Sequence, residues 1–177
     1  EAGYGAHSLD WLTPGDDLGQ EAFYLSSVLS KLLPEEPEVL GLHALISLTF
    51  VRMDARVRDG EFIPLGEQDT TLWDKDLIKY ATYTLSKAQK LRQIGRFQLE
   101  AAIQSVHIHC AETGVTDWQA IVKLYSALMQ LYPTMGTAVA HAAAVGEAYG
   151  EEKGLEFLDK IDADSSRTFQ PALPYDR

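Results

Sequence analysis

Apolar residues return every three or four positions through most of this chain, and that period belongs to α-helices. Ala22, Leu25, Val28, Leu29, Leu32 and Leu33 form the first stripe, read as the buried face of a helix capped by Asp16 or Asp17. Pro34-Glu35-Glu36-Pro37 stops it. Val39, Leu40, Leu42, Leu45, Ile46, Leu48 and Phe50 then occupy more than half the circumference of a second helix, which must be covered on two sides. The pattern resumes at Leu72-Trp73 and runs through Leu77, Ile78, Ala81, Leu85 and Ala88; Gly95 parts it from Leu99, Ala102, Ile103 and Val106. Thr116-Asp117 opens a helix carrying Trp118, Ile121, Val122, Leu124, Tyr125, Leu128 and Leu131, closed by Tyr132-Pro133. Alanines from Ala138 to Ala148 mark a helix that neighbours can approach closely, Gly150 ends it, and Leu155, Phe157, Leu158 and Ile161 make a last short stripe. The reading is all-α, about seven helices, with Trp73 and Trp118 in the core.

One stretch breaks the period. Asp59-Gly60 lies between Ala55-Arg56-Val57 and Phe62-Ile63-Pro64-Leu65, which predicts an irregular loop or short hairpin near 54–66. Pro64 confines any strand there to an edge. Leu33-Pro34 and Tyr132-Pro133 each end a helix with a hydrophobic-Pro pair, as in TPR units of about 34 residues. The expectation is TPR-like stacked helix hairpins over 18–162, with a lead-in at 1–17 and an irregular, incomplete tail at 163–177.

Charge limits the partners. Fifteen Lys and Arg against 26 Asp and Glu leave a net charge of -11, a field that repels DNA. The densest basic run, Lys87, Lys90, Arg92 and Arg96, reads as a solvated helix face. Cys110 stands alone, which excludes an intrachain disulfide and suits a reducing cytoplasm. No apolar run nears the roughly 18–20 residues of a membrane span, and no signal peptide opens the chain. Glu1 in place of an initiator Met reads as a fragment or a processed chain.

Candidate chemistry is sparse. His107, His109 and Cys110 are potential zinc ligands, but on a helix His107 and Cys110 share a face while His109 points elsewhere. Adjacent carboxylates at Asp16-Asp17, Glu35-Glu36 and Glu151-Glu152 sit at helix starts, where they complement the dipole. Gly3-Tyr4-Gly5 lacks the context of a phosphate loop. No enzyme, cofactor or metal is expected. The candidate site is the segment holding Arg52, Arg56, Asp59, Gly60, Gln68, Asp69, Trp73 and Asp74 around Phe62, Ile63 and Leu65. Its arginines have Asp59, Glu67 and Asp69 as prospective partners. Such charges can clasp the loop onto the helices or present a docking surface, and the two are compatible.

Four stretches resemble one family. They are LLPEEPEVLGLHAL at 32–45; Arg52, Ala55-Arg56, Asp59-Gly60, Leu65, Glu67-Gln68-Asp69 and Trp73-Asp74; FQLEAAI at 97–103; and Thr116-Asp117-Trp118 with Ile121 and Leu124-Tyr125. Together and in this order they are similar to the extracytoplasmic-function sigma factors that carry a long C-terminal extension. The chain departs from that pattern at Glu1-Ala2, Thr70-Thr71 and His141-Ala142-Ala143, and Ala172 to Arg177 cannot continue the family's further helix.

The resemblance implies a C-terminal regulatory, protein-interaction domain that modulates transcription initiation. Its partners would be the protein's own upstream sigma regions 2 and 4, RNA polymerase core through them, and another regulatory protein. Promoter DNA would be left to those regions, and residues 1–17 would lead in from them. The alternatives are a free-standing TPR-like adaptor and, more remotely, a metal-dependent enzyme using His107, His109 and Cys110.

Overall fold

The computed structural model describes residues 17–168. Along the chain run α1 (Asp17–Leu32), α2 (Pro37–Phe50) and a single turn, α3 (Met53–Arg56). Then come a hairpin of β1 (Val57–Arg58) and β2 (Glu61–Phe62) and two 3-10 turns, Leu65–Glu67 and Thr70–Leu72. Five helices complete it: α4 (Lys75–Lys90), α5 (Arg96–Thr113), α6 (Trp118–Leu131), α7 (Met135–Tyr149) and α8 (Glu151–Thr168). The fold is all-α and helical-repeat-like, as the periodicity implies. The one helix beyond the seven expected is α3, too short for a period to reveal. The lead-in at 1–17 lies outside the described residues except for Asp17, and the tail does so only from residue 169. Helix α8 runs six residues past the boundary drawn at 162; nothing in Asp162-Ala163-Asp164-Ser165-Ser166 breaks a helix.

Local signals set most of the ends. Asp74 accepts from the N–H groups of Asp76 and Leu77, both at 3.0 Å, and starts α4. Asp117 accepts from Ala120 N–H at 2.9 Å for α6, and Thr134 from Thr137 N–H at 3.1 Å for α7. Each cap satisfies an N–H that the helix itself leaves open.

Helix α2 is the axis. It packs against α1, α4 and α5, and buries Leu40, Gly41 and the run from His43 to Thr49. Helix α5 runs beside it in the same direction, since Glu38 meets the start of α5 and Arg52 meets Gln104 further along. The N-cap of α5, Gly95, offers no side chain, so Glu38 supplies the cap from the neighbouring helix. Its carboxylate accepts from Phe97 N–H at 2.9 Å and Gln98 N–H at 3.2 Å, and from Gln98 Nε2 at 3.3 Å. A Cβ at Gly41 would lie 2.8 Å from Gln98 N, and one at Gly95 would overlap the Glu38 carboxylate. Both glycines are there for close approach.

Two cores result. Ala44, Leu45, Leu48, Val51, Ala55, Trp73, Ala81, Leu85, Ala101 and Ile108 form one; Leu99, Ile103, Ile121, Tyr125, Leu128, Ala140 and Ala144 form the other. Helix α5 contributes to both. Trp73 is buried as expected, whereas Trp118 is only half-buried, its ring edge-on to His107 with centroids 5.4 Å apart. Ala138, Ala140, Ala142 and Ala144 of α7 are buried, and Gly154 of α8 meets Gly146 of α7 so closely that a Cβ there would lie 3.0 Å from its Cα.

The face of α1 corrects the sequence reading. Gly19, Ser26 and Ser30 are buried, with Phe23 stacked on Phe50 at 5.0 Å, while Leu25 and Leu32 of the expected inner stripe are 55% and 71% exposed. Small residues let α1 approach α2; Ala22, Val28 and Leu29 of the stripe are half-buried, and Leu25, Leu32 and Leu33 are left outside.

Two buried histidines bolt the stack. Ser26 Oγ donates to Phe23 C=O at 2.9 Å, so it receives Nδ1–H of His43 at 2.9 Å. His43 Nε2 then accepts from the Tyr80 hydroxyl at 3.1 Å, joining α1, α2 and α4 through a neutral ring. In the second half, Ser126 Oγ donates to Val122 C=O and receives Nε2–H of His141 at 3.1 Å. His141 Nδ1 is buried with no hydrogen-bond partner. Burial lowers both pKa values, and Lys31 adds to the effect at His43.

Two outcomes follow from this packing. Glu38→Ala is expected to cost about 1–2 kcal/mol in urea unfolding by uncapping α5. Glu38→Gln, which keeps one acceptor, should cost less, and equal losses would remove the capping role. The histidines set a pH dependence. Their folded pKa values lie below the ordinary 6.5, so the unfolded chain takes up protons first. Stability is full above 6.5 and lost as pH falls through it. A urea midpoint unchanged between about pH 7.5 and 5.5 would refute this, and His43→Gln with His141→Gln should flatten the profile.

Candidate functional site

The excursion between α2 and α4 begins with arginines that the fold swallows. Arg52 is buried at the end of α2, and its Nη2 donates to Gln104 Oε1 on α5 at 2.8 Å. Arg56 is 4% exposed, its guanidinium 5.7 Å from the ring centroid of Phe62. That contact crosses the hairpin, whose register pairs Val57 with Phe62 and Arg58 with Glu61. The turn needs positive φ at two successive residues, and Asp59 (54°) and Gly60 (84°) provide it. This is the type I′ turn that Asp-Gly favours. Ile63 N–H still donates to Arg56 C=O at 2.8 Å; Pro64, with no N–H, ends the pairing.

The second half of the excursion folds back on the first. Gln68 is buried and its Nε2 donates to Ile63 C=O at 3.0 Å, tying the 3-10 turns to the hairpin. Trp73 is inserted among Leu48, Ala81 and Ala101 in the first core. Asp69 turns outward onto Thr71, accepting from its N–H at 2.9 Å and its hydroxyl at 2.6 Å. Those hydrogen bonds, the hydroxyl's first, hold its carboxyl below the usual pKa.

The eight candidate residues therefore divide. Arg52, Arg56, Gln68 and Trp73 are the inner clasp; Asp59, Gly60, Asp69 and Asp74 lie on the outside. Arg52 meets Gln104, a partner that the sequence reading had not given it, and Asp59 sits at the exposed hairpin tip. Outside the clasp, Phe62 and Leu72 are 60% and 51% exposed on a segment whose exposed charges are the carboxylates of Asp54, Asp59, Glu61, Glu67, Asp69 and Asp74 and one cation, Arg58, opposite Glu61 in the hairpin. An acidic surface with apolar points suits a basic, partly apolar protein segment. Beside it a groove of about 680 Å³ opens between α4 and α5, with Thr71, Trp73, Lys75, Lys79 and His109 on its walls.

Elsewhere the candidate ligands stay apart. His107 is buried against Trp118, His109 is exposed, and Cys110 is half-buried and free. Among the described residues no group of three His, Cys, Asp or Glu side chains is placed to hold a metal ion. In the basic run Lys87, Lys90 and Arg92 are exposed. Arg96 instead pairs with Glu100 at 2.8 Å and lies 4.1 Å over the Tyr132 ring. The sequence reading missed Glu38, Gly41, Gln98 and Gln104. Gly41 inside an apolar helix was the available signal of a close approach; Glu38 looked like any first-turn carboxylate.

Clasp and helices together define an all-α, helical-repeat-like domain with an acidic, apolar-dotted outer surface. The chain belongs to the family of unknown function DUF6596, which matches residues 1–89. It is also 36% identical over 146 residues to an uncharacterized protein of Rhizobium meliloti (strain 1021). That alignment covers 82% of this chain but 34% of the relative, so the chain spans about a third of that protein. No solved structure matches. No helix among the described residues is long and apolar enough to cross a membrane.

Inner and outer residues should separate in a stability series. Trp73→Ala is expected to cost about 3–5 kcal/mol. Arg52→Ala and Arg52→Lys should both destabilise measurably, since a lysine ammonium does not reproduce the reach and planar donors of the buried guanidinium that meets Gln104. Asp59→Ala and Asp69→Ala should stay within about 0.5 kcal/mol. Losses of equal size in the two groups would show that the division is not energetic.

Proposed function

We propose that this chain is the C-terminal regulatory, protein-interaction domain of an extracytoplasmic-function sigma factor, and no enzyme. The supporting observation is the ordered resemblance. LLPEEPEVLGLHAL and the Arg52–Asp74 segment both lie within the residues matched by the family. They carry the Glu38 cap and the clasp. The two thirds of the relative outside the alignment leave room for sigma regions 2 and 4. A net charge of -11 suits a domain that leaves promoter DNA to those regions.

In this reading the clasp makes a rigid platform of a long connection, and the acidic surface around Phe62 and Leu72 docks a basic segment of the sigma regions or of a regulator. Arg56 is buried with the Phe62 ring over its guanidinium, so truncating either tests the fold; Leu72 and Asp69 test docking. Leu72→Ser with Asp69→Lys in the full-length protein is expected to change transcription from the cognate promoter several-fold. The melting temperature should hold. Unchanged transcription in that variant removes the docking surface. A reading frame with no sigma regions upstream of residue 1 removes the sigma assignment and leaves a free-standing adaptor.

A further inference from the structure

Helix α1 carries two parallel seams. Gly19, Phe23, Ser26 and Ser30, spaced four, three and four residues apart, face α2. One position earlier along the chain, and so about 100° around the helix, lie Leu18, Ala22, Leu25, Leu29 and Leu32, spaced four, three, four and three. This is the spacing of the d and a positions of a coiled-coil seam. Its leucines at Leu18, Leu25 and Leu32 are 53%, 55% and 71% exposed, with Leu33 at 47% beside them. Single exposed leucines are ordinary. Three of them seven residues apart, in line with the half-buried Ala22 and Leu29 and flanked by few charges, make a face built for another helix.

We propose that this face seats an amphipathic helix supplied by the part of the same polypeptide that precedes residue 1. The inference rests on the reading above that further regions lie upstream, and it names the surface that joins them to this domain. The occupant follows from the stack. Helices α6, α7 and α8 each pack on the helix before or after them in the chain, as α1 does on α2. In such an array the element due on the open side of α1 is the one before it. Sixteen residues precede α1, a reach of about 50 Å when extended. Helix α1 is about 24 Å long at 1.5 Å per residue. A helix ending before residue 1 can therefore return along it in either direction.

A second copy of the chain fits less well. The seam lasts little more than two heptads, and sustained coiled coils need about three or four. A tethered partner gains from an effective concentration that can reach the millimolar range, so a short seam suffices within one chain. The occupant should carry leucine, isoleucine or valine at heptad spacing.

The test is thiol accessibility. Leu25→Cys is placed in a Cys110→Ser background, both in the full-length protein and in the 177-residue chain, and the maleimide reaction is timed. The thiol at position 25 should react at least tenfold more slowly in the full-length protein, while a thiol from Lys87→Cys, on exposed α4, reacts alike in both. Leu25→Glu should lower the melting temperature of the full-length protein and leave that of the 177-residue chain unchanged. Equal rates at position 25 in the two proteins would overturn the proposal. So would a dimeric 177-residue chain that cross-links through that thiol, which would assign the face to a second copy. Slow reaction in a full-length protein without sigma regions would keep this inference and remove the transcriptional reading.

Discussion

The Glu38 carboxylate is the contact on which the two halves of the fold depend. The first N–H groups of a helix have no partner within it, and α5 opens on a glycine that cannot cap them. Glu38, in the first turn of α2, accepts from Phe97 N–H, Gln98 N–H and the Gln98 side-chain amide at once. The charge also lies where the α5 dipole is positive. Two glycines clear the space, Gly95 for the carboxylate and Gly41 for the Gln98 backbone. The position of α5 is thereby set against α2, and Arg52 on Gln104 holds the pair further along. Because α5 supplies Ala101 and Ile108 to one core and Leu99 and Ile103 to the other, displacing it would open both.

Polar contacts do the aligning elsewhere too. Apolar burial is non-directional and lets helices slide, whereas a buried hydrogen bond has one geometry. His43 reaches Ser26 on one side and Tyr80 on the other, so α1, α2 and α4 share one alignment. Arg96 pairs with Glu100 on its own helix and lies over Tyr132, tying the start of α5 to the end of α6. His141 anchors α7 to α6 through Ser126 and meets Phe157 of α8 edge-on, with ring centroids 4.6 Å apart. Its bare Nδ1 makes that junction sensitive to protonation.

The clasp shows how a connection of more than twenty residues can be rigid without a core of its own. The type I′ turn, the Gln68 amide and the inserted Trp73 each remove freedom from a different part of it. With Arg52 and Arg56 drawn inward and only Arg58 of the segment's arginines left outside, the outer surface keeps mostly carboxylates and two apolar points. That division of charge is what a docking reading requires, and it arises from the same folding that fixes the loop.

Much of this was readable locally. The helical period, the Asp117 start of α6, the prolines that separate helices and the Asp59-Gly60 turn each act within a few residues. A window of sequence therefore contains their whole cause. The candidate segment was legible as a place for the same reason, from a break in period. Its internal pairing was not, because the Arg52 guanidinium donates to Gln104, fifty-two residues away, a partner outside any local window. Nor does a period say what will cover an apolar stripe. On α1 it marked Leu25 and Leu32, yet the domain took Gly19, Ser26 and Ser30, whose small side chains let two helix backbones come together. The sequence by itself determined the helices, their ends and the turn, since backbone hydrogen bonding and side-chain spacing are local. Which faces meet, that Glu38 caps a helix sixty residues on, and that α1 keeps a leucine ridge outside were decided by tertiary structure, because only there do distant side chains compete for the same space.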